Sequence, residues 1–186
     1  METETETQSP DEPELPADFP ESTALVDKHV ATLTSTSFQS TEYMEGGFLG
    51  DDSTKVTRQH GDAGMLLTHE SDSTQYWFTD NARVGPDTHT YFSKGIRLPV
   101  VNRQTMEHTF EQLQFERVET LDEQVPVAVF EPTGTSDSSS DLESVDGTVE
   151  ITASGYVRMM DIEMVYPEGA NLEPHSSLVS AHTSVA

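Results

Sequence analysis

The sequence predicts an α+β fold in which a twisted antiparallel β-sheet has one face covered by two helices. Three patterns support this prediction. Short strand-like segments follow one another from residue 37 and are separated by turn residues. Two amphipathic helical segments stand before and after the first series of strands. A final hairpin can place its apolar side chains on one side of the sheet and its carboxylates on the other.

Both helical segments have apolar residues at a helical spacing behind a capping residue. The segment TALVDKHVATL, with Ser22 as its N-cap, predicts a helix over residues 22–34 whose apolar positions are Leu25, His29 or Val30, and Leu33. The segment NRQTMEHTFEQLQF predicts a helix over residues 102–114 behind an Asn102 cap. Its apolar positions are Met106, Phe110 and Leu113.

The strand-like segments between these helices predict an antiparallel meander, because the connections are too short for crossovers. In chain order they read SFQSTEYM, STKVTRQ, GMLLTHE, STQYWFTD and THTYFSK. After the second helix, strands are predicted in FERVETL and QVPVAVFEP. The stretch GTSDSSSDLES then reads as an exposed acidic loop, and TVEITA and YVRMMDIEMVY form the final hairpin.

The register of this hairpin follows from its turn. A two-residue turn at Ser154 and Gly155 places four pairs of residues opposite each other: Val145 and Met164, Val149 and Met160, Ile151 and Arg158, and Ala153 and Tyr156. The apolar residues of both strands then share one side, and the other side collects Glu150, Thr152, Asp161 and Glu163. The stripe of methionines in YVRMMDIEMVY is therefore predicted to face inward.

The charge of the chain excludes several classes of partner. The sequence has 34 acidic residues against 9 basic ones, a formal net charge of −25, and Lys28, Lys55 and Lys94 are its lysines. Nucleic-acid binding requires a basic surface, and an anionic membrane surface would repel this chain. Many carboxylates with few lysines indicate a protein that works in high salt, where self-repulsion is screened. The alternative, an acidic disordered protein, conflicts with the long alternating apolar segments.

Composition also divides the chain into three parts. Residues 1–21 begin METETETQSPDEPELP and predict a disordered acidic tether. Residues 22–166 predict a single domain, and residues 167–186 show little periodicity and predict an irregular C-terminal tail. Neither a membrane-spanning stretch nor a signal peptide is visible in this chain.

A family resemblance rests on four phrases: LVDKHVATLTSTSF, YWFTD, FEQLQFERVE and ITASGYVRMMDIEM. With them the sequence resembles a group of uncharacterised haloarchaeal surface lipoproteins, which are in turn similar to LolA/LppX-type lipoprotein carriers. The resemblance covers residues 22–166 and implies a curved sheet, an open half-barrel, with the two helices on its concave face. It also implies a location outside the cytoplasm, at the cell surface or secreted, although this chain carries neither the signal peptide nor the lipidated cysteine of such lipoproteins.

Residues with catalytic or metal-binding chemistry form no recognisable motif. The chain has no cysteine, and no two of its seven histidines stand at the helical spacing of a zinc site. Neither a nucleophile elbow nor a phosphate-binding glycine loop occurs. The sequence therefore predicts a protein without catalytic residues, metal or cofactor.

The remaining candidate is an apolar site. Methionine side chains adapt to varied apolar ligands, so a groove between sheet and helices for a lipid-like or other apolar molecule is the first hypothesis. The residues predicted to line it are Trp77, Phe78, Tyr91, Met106, Phe110, Met160, Ile162 and Met164. The alternative is a structural or protein-interaction module in which the same residues simply fill the core.

Overall fold

The structure is a computed structural model, and it describes residues 14–46, 53–70, 72–79, 82–84, 90–92, 100–136, 142–167 and 175–185. In these residues, strands form one antiparallel sheet and two helices pack on one of its faces, here called the inner face. The predicted α+β fold, an antiparallel sheet covered by two helices, is confirmed.

The helices are α1 (Ser22–Ser35) and α2 (Arg103–Gln112). The strands in chain order are β1 (Phe38–Gly46), β2 (Ser53–Gly61), β3 (Gly64–His69), β4 (Thr74–Thr79), β5 (Ala82–Val84), β6 (Thr90–Phe92), β7 (Leu113–Leu121), β8 (Val127–Thr135), β9 (Ser144–Thr152), β10 (Val157–Tyr166) and β11 (His175–Val185). Their order across the sheet is β6-β5-β4-β3-β2-β1-β11-β10-β9-β8-β7. β11 therefore lies between two meanders, one of β1 to β6 and the other of β7 to β10.

Side chains that accept backbone hydrogen bonds set where both helices begin. The Glu21 carboxylate accepts from the amides of Thr23 (3.1 Å) and Ala24 (2.7 Å), so Glu21 is the N-cap of α1 and the predicted Ser22 cap is wrong by one residue. Asn102 caps α2 as predicted, because its Oδ1 accepts from the Thr105 amide at 3.3 Å. The chain turns extended directly after α2 and enters β7.

The final hairpin keeps part of its predicted register. Met160 lies opposite Val149 and Met164 opposite Val145, as expected. The turn, however, holds three residues between Thr152 and Tyr156, whose amide and carbonyl bond at 3.1 Å, with Gly155 at φ +80°.

That longer turn corrects the pairing near the end of the hairpin. Ile151 lies opposite Val157 rather than Arg158, and a bulge separates Val157 from Met159. The bulge turns Arg158 to the outer face, where its guanidinium pairs with Glu150 at 2.7 Å and with Glu123 at 2.5 Å.

The predicted irregular tail over 167–186 is wrong for His175–Val185, which forms β11 between β1 and β10. β11 therefore covers the β10 side of the last hairpin, and in the described residues the sheet ends at β6 and β7. Of the inner-face residues of β11, Val179 and Ala181 are buried and apolar, but Thr183 is also buried. Small and polar residues at inner positions weaken the alternation that identifies a strand.

The predicted disordered tether over 1–21 is also wrong in part, because Leu15, Pro16 and Phe19 contact the domain; residues 1–13 lie outside the described residues. The ring of Phe19 stacks on Phe115 with centroids 4.1 Å apart and meets Phe110 and Phe130 edge on. Arg117 Nη1 donates to the Pro16 carbonyl at 3.1 Å.

Two apolar clusters hold the helices on the inner face. The first core cluster joins Leu25 and Val26 of α1 and Met106 and Phe110 of α2 to residues of β8 through β11. The second joins Leu33 of α1 to Phe38, Met65, Leu67, Phe78 and Val100. α1 therefore spans both clusters, whereas α2 contributes buried residues to the first.

Candidate ligand groove

Five of the predicted groove residues come together in the first core cluster. Their exposed fractions are 3% for Met106, 2% for Phe110, 2% for Met160, 0% for Ile162 and 4% for Met164. Such low exposure means that most of this stripe packs between α2 and the sheet. The inward orientation expected for the stripe agrees with this placement.

The structure does not bring the other three predicted residues to the same place. Phe78 is buried on the inner face but belongs to the second core cluster. Its neighbour Trp77 is 37% exposed and points to the outer face, since successive residues of β4 alternate. Tyr91 of β6 pairs with Arg83 of β5, and the side chain of Tyr91 lies outside the described residues.

An open groove of about 790 Å³ lies beside α2, and we call it the α2 groove. Its lining consists of Met44, Glu45, Gly46, Asn102, Gln104, Thr105, Glu107, His108, Thr109, Glu111, Gln112, Met164, Tyr166 and Val179. One wall is thus α2, and the rest comes from β1, β10 and β11. A groove of this volume is large enough for a small-molecule ligand.

Strand register explains why apolar side chains form the floor of the α2 groove. Met44 of β1 lies opposite Val179 of β11, which lies opposite Ile162 of β10, so these three side chains form one row on the inner face. Met164 belongs to the next row along β10 on the same face. The helix covers Ile162 completely, whereas Met44, Val179 and Met164 reach the groove.

A smaller void of about 10 Å³ adjoins the groove between α2 and the sheet. It is lined by Glu42, Met44, Asn102, Thr105, Met106, Met160, Val179, Ser180 and Ala181. Two of the predicted residues, Met106 and Met160, therefore border empty space here, as Met164 does in the groove itself. Phe110 and Ile162 border neither.

Polar contacts fix the start of α2 at the mouth of both spaces. The Asn102 amide donates to Glu42 Oε1 at 2.9 Å, and the other oxygen of Glu42 lies 2.9 Å from the buried guanidinium of Arg58. Arg103 reaches Glu107 at 2.7 Å and Asp27 of α1 at 2.6 Å. Ion pairs this exposed add little stability, but they orient α2 relative to α1.

The phenol of Tyr166 borders the groove in its neutral form. Burial raises the pKa of Tyr166 above its ordinary value, and its hydroxyl donates to the sulfur of Met164 at 3.8 Å. A neutral aromatic ring beside the methionine Met164 suits contact with an apolar molecule.

The chemistry available in the α2 groove is that of binding. Its polar residues are carboxylates, amides, a threonine pair and one imidazole, His108, whose Nε2 contacts the side-chain nitrogen of Gln112 at 2.7 Å. Across the described part of the chain, no three His, Asp or Glu side chains converge in a way that could hold a metal ion. Sequence reasoning identified Met164 but missed Met44 and Val179. The strand-like alternation of FQSTEYM around Met44 was the available signal.

Neither helix in the described residues is long and apolar enough to cross a membrane.

Comparison with known proteins found no matching family model and no matching curated protein. Among solved structures, the chain is similar to a LolA superfamily protein from Nitrosomonas europaea, with 11% identity over 89% of this chain and 92% of that one and a TM-score of 0.31.

Two further structures are similar at the same level. One is a putative outer membrane lipoprotein-sorting protein domain from Vibrio parahaemolyticus, with 8% identity over 86% of this chain and 93% of that one and a TM-score of 0.26. The other is a DUF1329 family protein from Desulfovibrio piger, with 10% identity over 89% and 92% and a TM-score of 0.24.

Proposed function

We propose that this chain is a non-enzymatic, extracytoplasmic domain of a halophilic archaeon that binds a lipid-like or other apolar ligand in the α2 groove. The observation that carries the proposal is a groove of about 790 Å³ whose floor is made by Met44, Met164 and Val179. A curved sheet, an open half-barrel with the helices on its concave side, would wrap such a ligand.

The physical basis is the burial of apolar surface in a preformed concave site. Each methylene removed from water contributes roughly 0.8 kcal/mol. Methionine side chains accommodate ligands of irregular shape because they are unbranched and polarizable. The net charge of −25 with 9 basic residues supports the halophilic setting, where salt screens the self-repulsion of the domain.

A fluorescent lipid analogue with a neutral headgroup tests this proposal. We expect it to bind with a Kd in the micromolar range and to be displaced by unlabelled lipid. Thr105→Trp should abolish binding, because Thr105 lines both the groove and the adjoining void and a tryptophan would fill that space. The matched control is Thr120→Trp at an exposed position of β7, which should bind the probe normally.

A structural or protein-interaction module is the second candidate. It is favoured by the tight burial of Met160 and Ile162, at 2% and 0% exposure, which is typical of a filled core. Under this reading the probe does not bind, and Met160→Ala costs about 2–5 kcal/mol of stability with no other effect. Probe binding that is lost in Thr105→Trp but kept in Thr120→Trp excludes it.

A further inference from the structure

The α2 groove and the smaller void adjoin each other. They share the lining residues Met44, Asn102, Thr105 and Val179, so the same four residues border both spaces. The void holds about 10 Å³, which is roughly the space of one water-sized group. As it stands, the void is too small to receive more of a ligand than that.

Three of the four shared residues are held in place. Asn102 is the N-cap of α2, and both its side chain and its amide are hydrogen-bonded. Thr105 and Val179 are β-branched, so their χ1 rotamers are restricted. Met44 is different, because it is half-buried and unbranched and has three rotatable side-chain bonds.

We propose that Met44 is the gate between the α2 groove and this void, and that it sets the length of the unbranched alkyl chain that the groove accepts. This inference rests on the proposed function. In the structure the Met44 side chain lines both spaces. A rotamer change of Met44 would join the two spaces along Met106, Met160 and Ala181, between α2 and the sheet.

The lining of the void indicates which part of a ligand would enter. Met106, Met160, Val179 and Ala181 present apolar surface. The Glu42 carboxylate already accepts from the Asn102 amide and pairs with Arg58. It therefore has little hydrogen-bonding capacity left for a polar headgroup. The narrow space favours a straight chain end over a ring or a branched group. We therefore assign the void to the terminal methylenes of a single alkyl chain.

Octyl, decyl and dodecyl maltoside, used below their micelle concentrations, test the gate because they share one uncharged headgroup and differ in chain length. Their Kd values would be measured by calorimetry with the full chain. In Met44→Ala the open passage should bury at least one more methylene of the longest chain. The ratio of dodecyl to octyl affinity should then rise by about fourfold or more over the unsubstituted protein, since one methylene corresponds to about fourfold in Kd.

Two further variants keep the test decisive. Met44→Phe retains apolar volume and should block the passage, which lowers the dodecyl to octyl ratio while octyl binding is kept. Met159→Ala removes the same side chain from an outer-face position of β10, opposite Glu150, and should leave the ratio unchanged. Circular dichroism and thermal melts would establish that each variant is folded.

The outcomes separate this inference from the proposed function. If the unsubstituted protein binds none of the maltosides, the proposed function itself fails, and the gate fails with it. If the maltosides bind but the affinity ratio is the same in Met44→Ala, Met44→Phe and the unsubstituted protein, the groove stands and Met44 is not its gate.

Discussion

The imidazole of His29 is a buried, neutral group at the contact between α1 and the final hairpin. It is 1% exposed, and its Nδ1 accepts a hydrogen bond from the Val157 amide at 3.1 Å. That bond places the proton on Nε2, which has no hydrogen-bond partner in the described residues. Burial lowers the pKa of His29 from 6.5 to about 4, because charging the ring would leave a cation in the apolar interior.

This lowered pKa predicts a loss of stability on mild acidification. Between the unfolded pKa of 6.5 and the folded pKa of about 4, the unfolded chain binds a proton that the folded chain does not, so the free energy of unfolding falls as pH falls. From about pH 7 to about pH 5 the His29 contribution should be a loss of about 2 kcal/mol. Urea unfolding at both pH values measures it.

The variant His29→Asn isolates this contribution. Its amide oxygen can accept from the Val157 amide as Nδ1 does, but it does not titrate. The carboxylates respond to pH in both proteins, so the difference between the two pH profiles belongs to His29. Parallel profiles would mean that the ring is not held neutral by burial.

At the scale of single elements, the hairpin of β9 and β10 depends on the backbone of its turn. Gly155 has φ +80°, a backbone conformation that residues other than glycine adopt only at an energetic cost. A Cβ at this position would also collide with the side chain of Lys28. The three-residue turn also explains the bulge that follows, since together they bring Val157 and Met160 to the same inner face.

We expect Gly155→Ala to destabilise the domain by about 1–2 kcal/mol, because the left-handed backbone must be kept with a Cβ present. The control Gly61→Ala has no such backbone requirement, and its nearest contact would be the Ser37 hydroxyl at an ordinary 3.8 Å. It should change stability by less than about 0.5 kcal/mol. Chemical denaturation of both variants provides the comparison. Equal effects would contradict a left-handed backbone at Gly155.

The two faces of β9 predict unequal effects of substitution at neighbouring positions. Ile151 is 0% exposed on the inner face, so Ile151→Asp buries an unpaired charge and should cost several kcal/mol or prevent folding. Glu150→Gln weakens one ion pair of Arg158, whose other partner Glu123 remains, and should cost about 1 kcal/mol. Thermal melts distinguish them, and a larger loss for Glu150→Gln would reverse the assignment of the faces.

At the scale of the whole molecule, the net charge determines how stability depends on salt. With a net charge of −25, the folded chain concentrates carboxylates that repel one another, and added salt shortens the range of that repulsion. We expect Tm to rise steeply between dilute and molar KCl, by about 2–4 °C for each kcal/mol of repulsion relieved. Thermal melts in a KCl series measure this rise, and a Tm that does not depend on KCl would count against a halophilic origin.

Local patterns were enough to predict the covered sheet. Met106 and Phe110 stand one helical turn apart, and the alternation around Met160 and Met164 marks an inner face, so α2 and β10 could be placed from their own residues. Their packing against each other followed, because each has a single apolar side to bury.

Features that depend on distant parts of the chain could not be predicted in this way. β11 was missed because Ala181 and Thr183 at its inner positions give a weak apolar pattern, and its place in the sheet depends on β1, which is remote in sequence. Met44 was missed for a related reason. It borders the α2 groove because α2, remote in sequence, forms the other wall of that groove.

The position of β11 has a consequence for how the domain assembles during synthesis. β1 through β6 form one ribbon and β7 through β10 another, and β11 is the strand that joins them. Because it follows both in the chain, a ribosome completes the two ribbons before it makes their link. Until then β1 and β10 each present an unpaired edge, the kind of surface on which nascent chains aggregate. Carboxylates on those edges, such as Glu45 and Glu163, would repel other nascent chains from the two ribbons until β11 is made.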